Sequence, residues 1–112
     1  MEVDQVIEQV QGHLGHLPGF RFKKMFGGAS IYSDDVVFCM ITREGVPHFR
    51  IGPGNLQDFK DEDQVPFAPK TKSKKLQPMP YYTVPSELWE DQRKLEVWVG
   101  KAISEAKAAK KK

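Results

Sequence analysis

The stretch Phe20-Arg21-Phe22-Lys23-Lys24-Met25-Phe26-Gly27-Gly28-Ala29-Ser30-Ile31-Tyr32 decides how the fold is read. Phe20, Phe22 and Phe26 fall on alternate positions, the period of a strand with one buried face, and Arg21, Lys23 and Met25 fall on the other. Lys24 stands among the phenylalanines, a place that requires a bulge or a stem running past apolar neighbours. Gly27-Gly28 stops the alternation. Glycine amides can cradle an anion, but the spacing fits neither GxGxxG nor the Walker pattern. Ala29, Ile31 and Tyr32 then resume a strand, where a phosphate loop would open a helix. The glycines therefore read as a tight strand-to-strand connection that exploits positive φ and close backbone approach.

Working outward, the strand pattern continues. Ser33-Asp34-Asp35 is a turn whose side chains can bond the local backbone. Val36–Thr42 is an apolar run suited to a central strand. Glu44-Gly45 turns the chain again, and Pro47–Ile51 predicts an edge-compatible strand, since Pro47 has no N–H for a ladder. Val3, Val6, Ile7, Val10 and Leu14 form one stripe of an N-terminal helix, ended by Gly12, Gly15 and Pro18. Beyond Gly52-Pro53-Gly54, Asn55 is placed to cap a short helix through Asp61, with Leu56 and Phe59 inward. A strand is predicted at Met79–Val84, with a further short one at Val65–Ala68. Pro85-Ser86 opens a helical turn, and Asp91 caps a C-terminal helix striped by Leu95, Trp98, Val99, Ala102, Ile103 and Ala106. The order predicts an α+β fold: a single antiparallel sheet of four to six strands packed against N- and C-terminal helices. The domain spans residues 1–106, and 107–112 is a basic, frayed tail.

The chain has 112 residues, room for one domain, with 39% hydrophobic and 29% charged residues. Those proportions are ordinary for a globular protein and exclude a mostly disordered one. The single cysteine, Cys39, precludes an internal disulfide and fits a reducing, cytoplasmic setting. No apolar run reaches membrane-spanning length. The net charge is +2, but residues 66–75 and 101–112 each carry +4, which leaves −6 on the rest. The basic character thus lies in a loop and a tail over an acidic body.

Candidate chemistry is sparse. Cys39 lies in an apolar run that would raise its pKa, so it reads as a buried structural thiol. His13 and His16 lack the further ligands a metal site needs and read as solvated groups at a helix end. The acid clusters Asp34-Asp35 and Asp58, Asp61, Glu62, Asp63 do not match a calcium loop. No catalytic residue, metal or cofactor is assigned. Lys70, Lys72, Lys74 and Lys75 lie near Tyr81 and Tyr82 and form the candidate nucleic-acid site, lysines for phosphate and an aromatic for a base. One tyrosine of that pair should face the core and the other solvent. Trp98 belongs to the core, whereas Trp89, in the turn before the last helix, should pack only in part and be open to a partner.

Lys24-Met25-Phe26-Gly27-Gly28, Ile31-Tyr32, Val37-Phe38, Asn55 with Phe59, Pro66-Phe67, Met79, Tyr81-Tyr82, Val84-Pro85 and Trp98 occur in an order that resembles the TfoX (Sxy) N-terminal domain family across nearly the whole chain. The resemblance implies a secretion-chaperone-like α+β domain, here as a stand-alone, single-domain member. It also implies a part in competence and transcription regulation, where the family's namesake acts with the cyclic-AMP receptor protein. Where the family carries a small polar residue this chain has Pro80, which argues for an edge position of the last strand.

The reading that results is a non-enzymatic interaction module. Its contact surface combines Lys23, the outward tyrosine of Tyr81 and Tyr82, and Trp89. The partner is an unidentified protein, with transcription machinery the implied class, and the chain is a monomer or homodimer with no membrane attachment. The alternative is direct nucleic-acid binding through Lys70, Lys72, Lys74, Lys75 and the tail. A small-molecule or enzymatic role, in a pocket between sheet and helices, ranks last.

Overall fold

A computed structural model describes residues 2–25, 27–66 and 80–110. The order of elements is α1 (Val3–Leu14), β1 (Arg21–Met25), β2 (Gly28–Ser33), β3 (Val36–Ile41), β4 (Pro47–Arg50), α2 (Leu56–Asp61), β5 (Tyr81–Thr83), a 3-10 turn (Ser86–Glu90) and α3 (Gln92–Lys110). The five strands form one antiparallel sheet in the order β1-β2-β3-β4-β5. This is the α+β architecture that the pattern of strand block and flanking helices predicts.

Helices cover one face of the sheet. Ala29 and Ile31 of β2, Phe38, Cys39 and Ile41 of β3 and Phe49 of β4 meet Val6, Ile7, Val10 and Leu14 of α1 and Leu95, Val99 and Ala102 of α3 in a continuous core. The α1 stripe is buried as its spacing predicts. Phe59 of α2 closes the core against Trp98, with ring centroids 4.6 Å apart. A bulge between Ile31 and Tyr32 shifts the β2–β3 register, so that Phe38 and Cys39 both enter the core. At the start of α3, Asp91 Oδ1 accepts from the N–H of Lys94 at 3.2 Å, the predicted cap.

Gly28 shows why a glycine is needed at the β1–β2 hairpin. A Cβ there would lie 2.2 Å from the carbonyl oxygen of Ile41 on β3. Met25 pairs with Gly28, and Gly27 has φ +82°. The paired glycines serve sheet construction, as expected.

Several expectations change. β4 is internal, not an edge: it pairs with β3 and β5, and Pro47 is tolerated because it opens the strand opposite Ile41 and lies beyond the reach of β5. Of the expected phenylalanine face, Phe20 packs against the core, but Phe22 is 42% exposed on β1, the outermost strand of the sheet. Lys24 needs no bulge: its Nζ lies 2.5 Å from Asp4 Oδ1 of α1. Asn55 holds the N-cap position of α2, but its side chain makes no cap hydrogen bond. It is buried in the preceding loop, where its Oδ1 accepts from the N–H of Gly52 at 2.8 Å and its Nδ2 donates to the carbonyl of Arg50 at 2.9 Å. The helix α3 continues to Lys110, so the helix runs past the expected domain end at residue 106. Of the short strand expected at Val65–Ala68, Pro66 makes an isolated bridge to Tyr82. Phe26, Phe67, Lys70, Lys72, Lys74, Lys75, Met79, Lys111 and Lys112 lie outside the described residues.

Candidate interaction surface

Strand pairing assembles what the linear sequence keeps apart. On the sheet face turned away from the helices, Lys23 pairs with Ser30, Ser30 with Met40, Met40 with His48 and His48 with Thr83, one row crossing all five strands. Beside it run Arg21, Tyr32 and Val37, and towards the other edge Arg50 and Tyr81. Both arginines lie over the tyrosine directly across the ladder. Arg21 Cζ is 4.3 Å from the Tyr32 ring centroid and Arg50 Cζ is 5.5 Å from that of Tyr81. Such stacks hold a guanidinium in place without removing its charge.

The two ends of these rows differ in exposure. Arg21 and Lys23 on β1 are exposed, and Lys23 has no partner among the described residues. His48 and Tyr81 are buried. Burial holds the His48 imidazole below its ordinary pKa, while its Nδ1 lies 3.0 Å from the carbonyl oxygen of Val46. Burial drives the Cys39 thiol far above its ordinary range, as the apolar run predicts, and so keeps it protonated.

The predicted partner surface of Lys23, an outward tyrosine and Trp89 is not gathered in one place. Tyr82 faces the helices, edge-on to Phe59 with centroids 6.1 Å apart. Tyr81 shares the far face with Lys23 but lies at the opposite edge, and it is only 6% exposed. Neither tyrosine is exposed to solvent in the way alternation suggests, because Tyr81 carries Arg50 above it and Tyr82 fills the rim of the core. Trp89 is half-buried on the helix side, stacked against Phe49 and His13 with centroids 6.1 and 5.6 Å away. His13 and His16 are also not simply solvated. His13 Nδ1 lies 3.0 Å from Gln92 Oε1, and His16 Nε2 lies 3.5 Å from Glu96 Oε1, tying the end of α1 to the start of α3.

The candidate nucleic-acid lysines of the loop lie outside the described residues. Of the C-terminal lysines, Lys101 meets Asp58, Lys107 meets Asp34 at 3.6 Å and Lys110 meets Asp35. The salt bridge with Lys110 holds the Asp35 carboxyl below its ordinary pKa. Open clefts lie on two sides of the described residues. One of about 350 Å³ is bordered by Val37, Arg50, Tyr81, Ala106 and Lys110; the other, of about 250 Å³, lies by Val3, Asp4, Lys24 and Gly28. Among the described residues no three His, Cys, Asp or Glu side chains converge as a metal site, and no helix is long and apolar enough to cross a membrane.

What sequence reading missed is the β1 rim. The alternation of Arg21, Lys23 and Met25 is visible in the sequence, but that β1 is an edge strand and that Arg21 meets Tyr32 depend on pairing. These features define a domain with a five-stranded antiparallel sheet, helices packed on one face and a cationic outermost strand. The TfoX N-terminal domain model matches residues 12–106, and the chain belongs to that family. Membership supports a regulatory, competence-related module. No curated relative matches the sequence.

Proposed function

We propose that the chain is a non-enzymatic interaction module that serves transcription or competence regulation by binding another protein. The observation that carries this reading is β1: a strand whose Arg21–Lys24 are all exposed, at the rim of an otherwise well-packed sheet. An exposed strand edge is a template for another polypeptide. Family membership supplies the regulatory context.

Affinity capture from native lysate with mass spectrometry tests the reading. A stoichiometric protein partner that survives nuclease treatment is the expected result. Partners lost on nuclease treatment would move the function to nucleic-acid binding. Recovery of no stoichiometric partner would overturn the module reading.

A further inference from the structure

We infer that the outer edge of β1 receives an acidic, extended segment of a partner protein as an added strand. The inference rests on the interaction-module reading and gives the partner a chemistry. Three observations carry it.

The first is the contrast between the sheet's edges. The outer side of β5 is closed: the N–H of Thr83 donates to the carbonyl of Val65 at 2.9 Å, and Pro66 bridges Tyr82. Among the described residues no strand lies outside β1. Every second residue of an edge strand turns its N–H and C=O outward, so β1 offers a ladder's worth of unmet backbone groups.

The second is charge. Arg21, Lys23 and Lys24 stand in a strand with no acid. Lys24 is already matched with Asp4, and Arg21 lies over Tyr32, but Lys23 has no partner among the described residues. Directly opposed like charges destabilise a strand pair and opposite charges stabilise it. A second copy pairing β1 with β1 would set three cations against three. An acidic strand would instead place carboxylates opposite Arg21 and Lys23 on the far face.

The third is Phe22. Lysines alone on an edge are a common guard against aggregation. That guard does not call for an aromatic ring 42% exposed among them. Phe22 points to the helix side, opposite to Arg21 and Lys23, and fits an apolar residue alternating with the acids of the incoming strand.

The test uses the full chain and fluorescein-labelled peptides of about eight residues, close to strand length. One peptide alternates Glu and Val, one alternates Lys and Val, and one is the Glu-Val peptide N-methylated at every residue so that neither edge can donate a ladder hydrogen bond. Anisotropy at low salt should show binding of the Glu-Val peptide only, weakened as salt rises. Hydrogen exchange should slow at residues 21–25 and not at 81–83. The variant with Arg21→Glu and Lys23→Glu together, both at exposed positions and checked for folding by circular dichroism, should bind the Glu-Val peptide at least about tenfold more weakly, or ~1.4 kcal/mol. It should gain the Lys-Val peptide.

Equal binding of the N-methylated peptide would overturn strand addition. Protection outside residues 21–25 would overturn the assignment to β1. Protection of 21–25 that rises with protein concentration alone would overturn the acidic partner in favour of a second copy. A lysate partner captured equally by wild type and the double variant would remove this edge but leave the module reading intact. Failure to capture any partner would sink that reading, while the peptide assay still decides the edge.

Discussion

The two edges of this sheet meet the same difficulty in different ways. β5 closes its outer backbone groups with the chain's own Gln64–Pro66. Thr83 Oγ1 donates to Gln64 Oε1 at 2.7 Å and accepts from the N–H of Val65 at 3.0 Å, and Pro66 bridges Tyr82. β1 has no strand beyond it among the described residues and surrounds its outer edge with positive side chains. Hydrogen-bonded cover silences an edge towards every partner. Charge silences it only towards partners of the same sign, so it is the form of protection compatible with selective binding.

The largest effect should come from removing what seats β1. Gly28→Val places a side chain against the Ile41 carbonyl, a backbone atom that cannot step aside. We expect a loss of about 3 kcal/mol, measured by urea unfolding, within the range of severe single substitutions. Gly52→Ala should cost less. There the closest atoms to the added Cβ are the Glu105 carboxylate oxygen and its carbon, which can swing away, with the Glu105 Cβ farther off at 3.2 Å.

A second change makes the closed edge resemble the open one. Thr83→Val deletes both hydroxyl bonds to Gln64 and Val65. The expected cost is about 1–2 kcal/mol, with faster amide exchange at residues 81–83. Unchanged exchange there would mean that the hydroxyl is not what closes β5.

His48 lies in the row that joins both edges. Burial depresses its folded pKa, so the unfolded chain takes up the proton first. Stability should be full above the ordinary value of 6.5 and decline as pH falls through it towards the folded pKa. Urea midpoints of wild type and His48→Gln, followed from pH 7.5 to 5 and compared by slope, check this: the variant should show the shallower decline.

The smallest effect is expected at Lys24→Ala. Its bond to Asp4 is short but solvent-exposed, and such pairs contribute roughly 0–1 kcal/mol. A larger loss would show that α1 is fastened to β1 mainly through this pair.

Local periodicity makes much of the fold legible. The α1 stripe, the β2–β3–β4 meander, the Asp91 cap and the core positions of Trp98 and Cys39 follow from spacing and residue type alone. Neighbour relations do not. Phe22 carries the signature of a buried strand residue, yet it stands 42% exposed on the outermost strand of the sheet. Pro47 reads as an edge residue, yet it stands at the one position of β4 that its neighbour β5 does not reach. Asn55 has the chemistry of a cap, yet finds two backbone partners within its own loop. The interaction surface is least legible because its members, Arg21 with Tyr32 and Lys23 with Ser30, meet only once the register is set. Trp89 looks open from its place in a turn, but packing against Phe49 and His13 draws it to the other side of the molecule.

The coincidence of strand order with chain order has a kinetic meaning. The β1–β2, β2–β3 and β3–β4 pairs each close over a short turn, whereas residues 51–80 separate β4 from β5. Short loops close at low entropic cost, and local contacts form early. Folding should therefore nucleate in the four-stranded meander, with β5 docking late. Thr83→Val should then accelerate unfolding and leave the refolding rate nearly unchanged, whereas Gly28→Val should slow refolding itself.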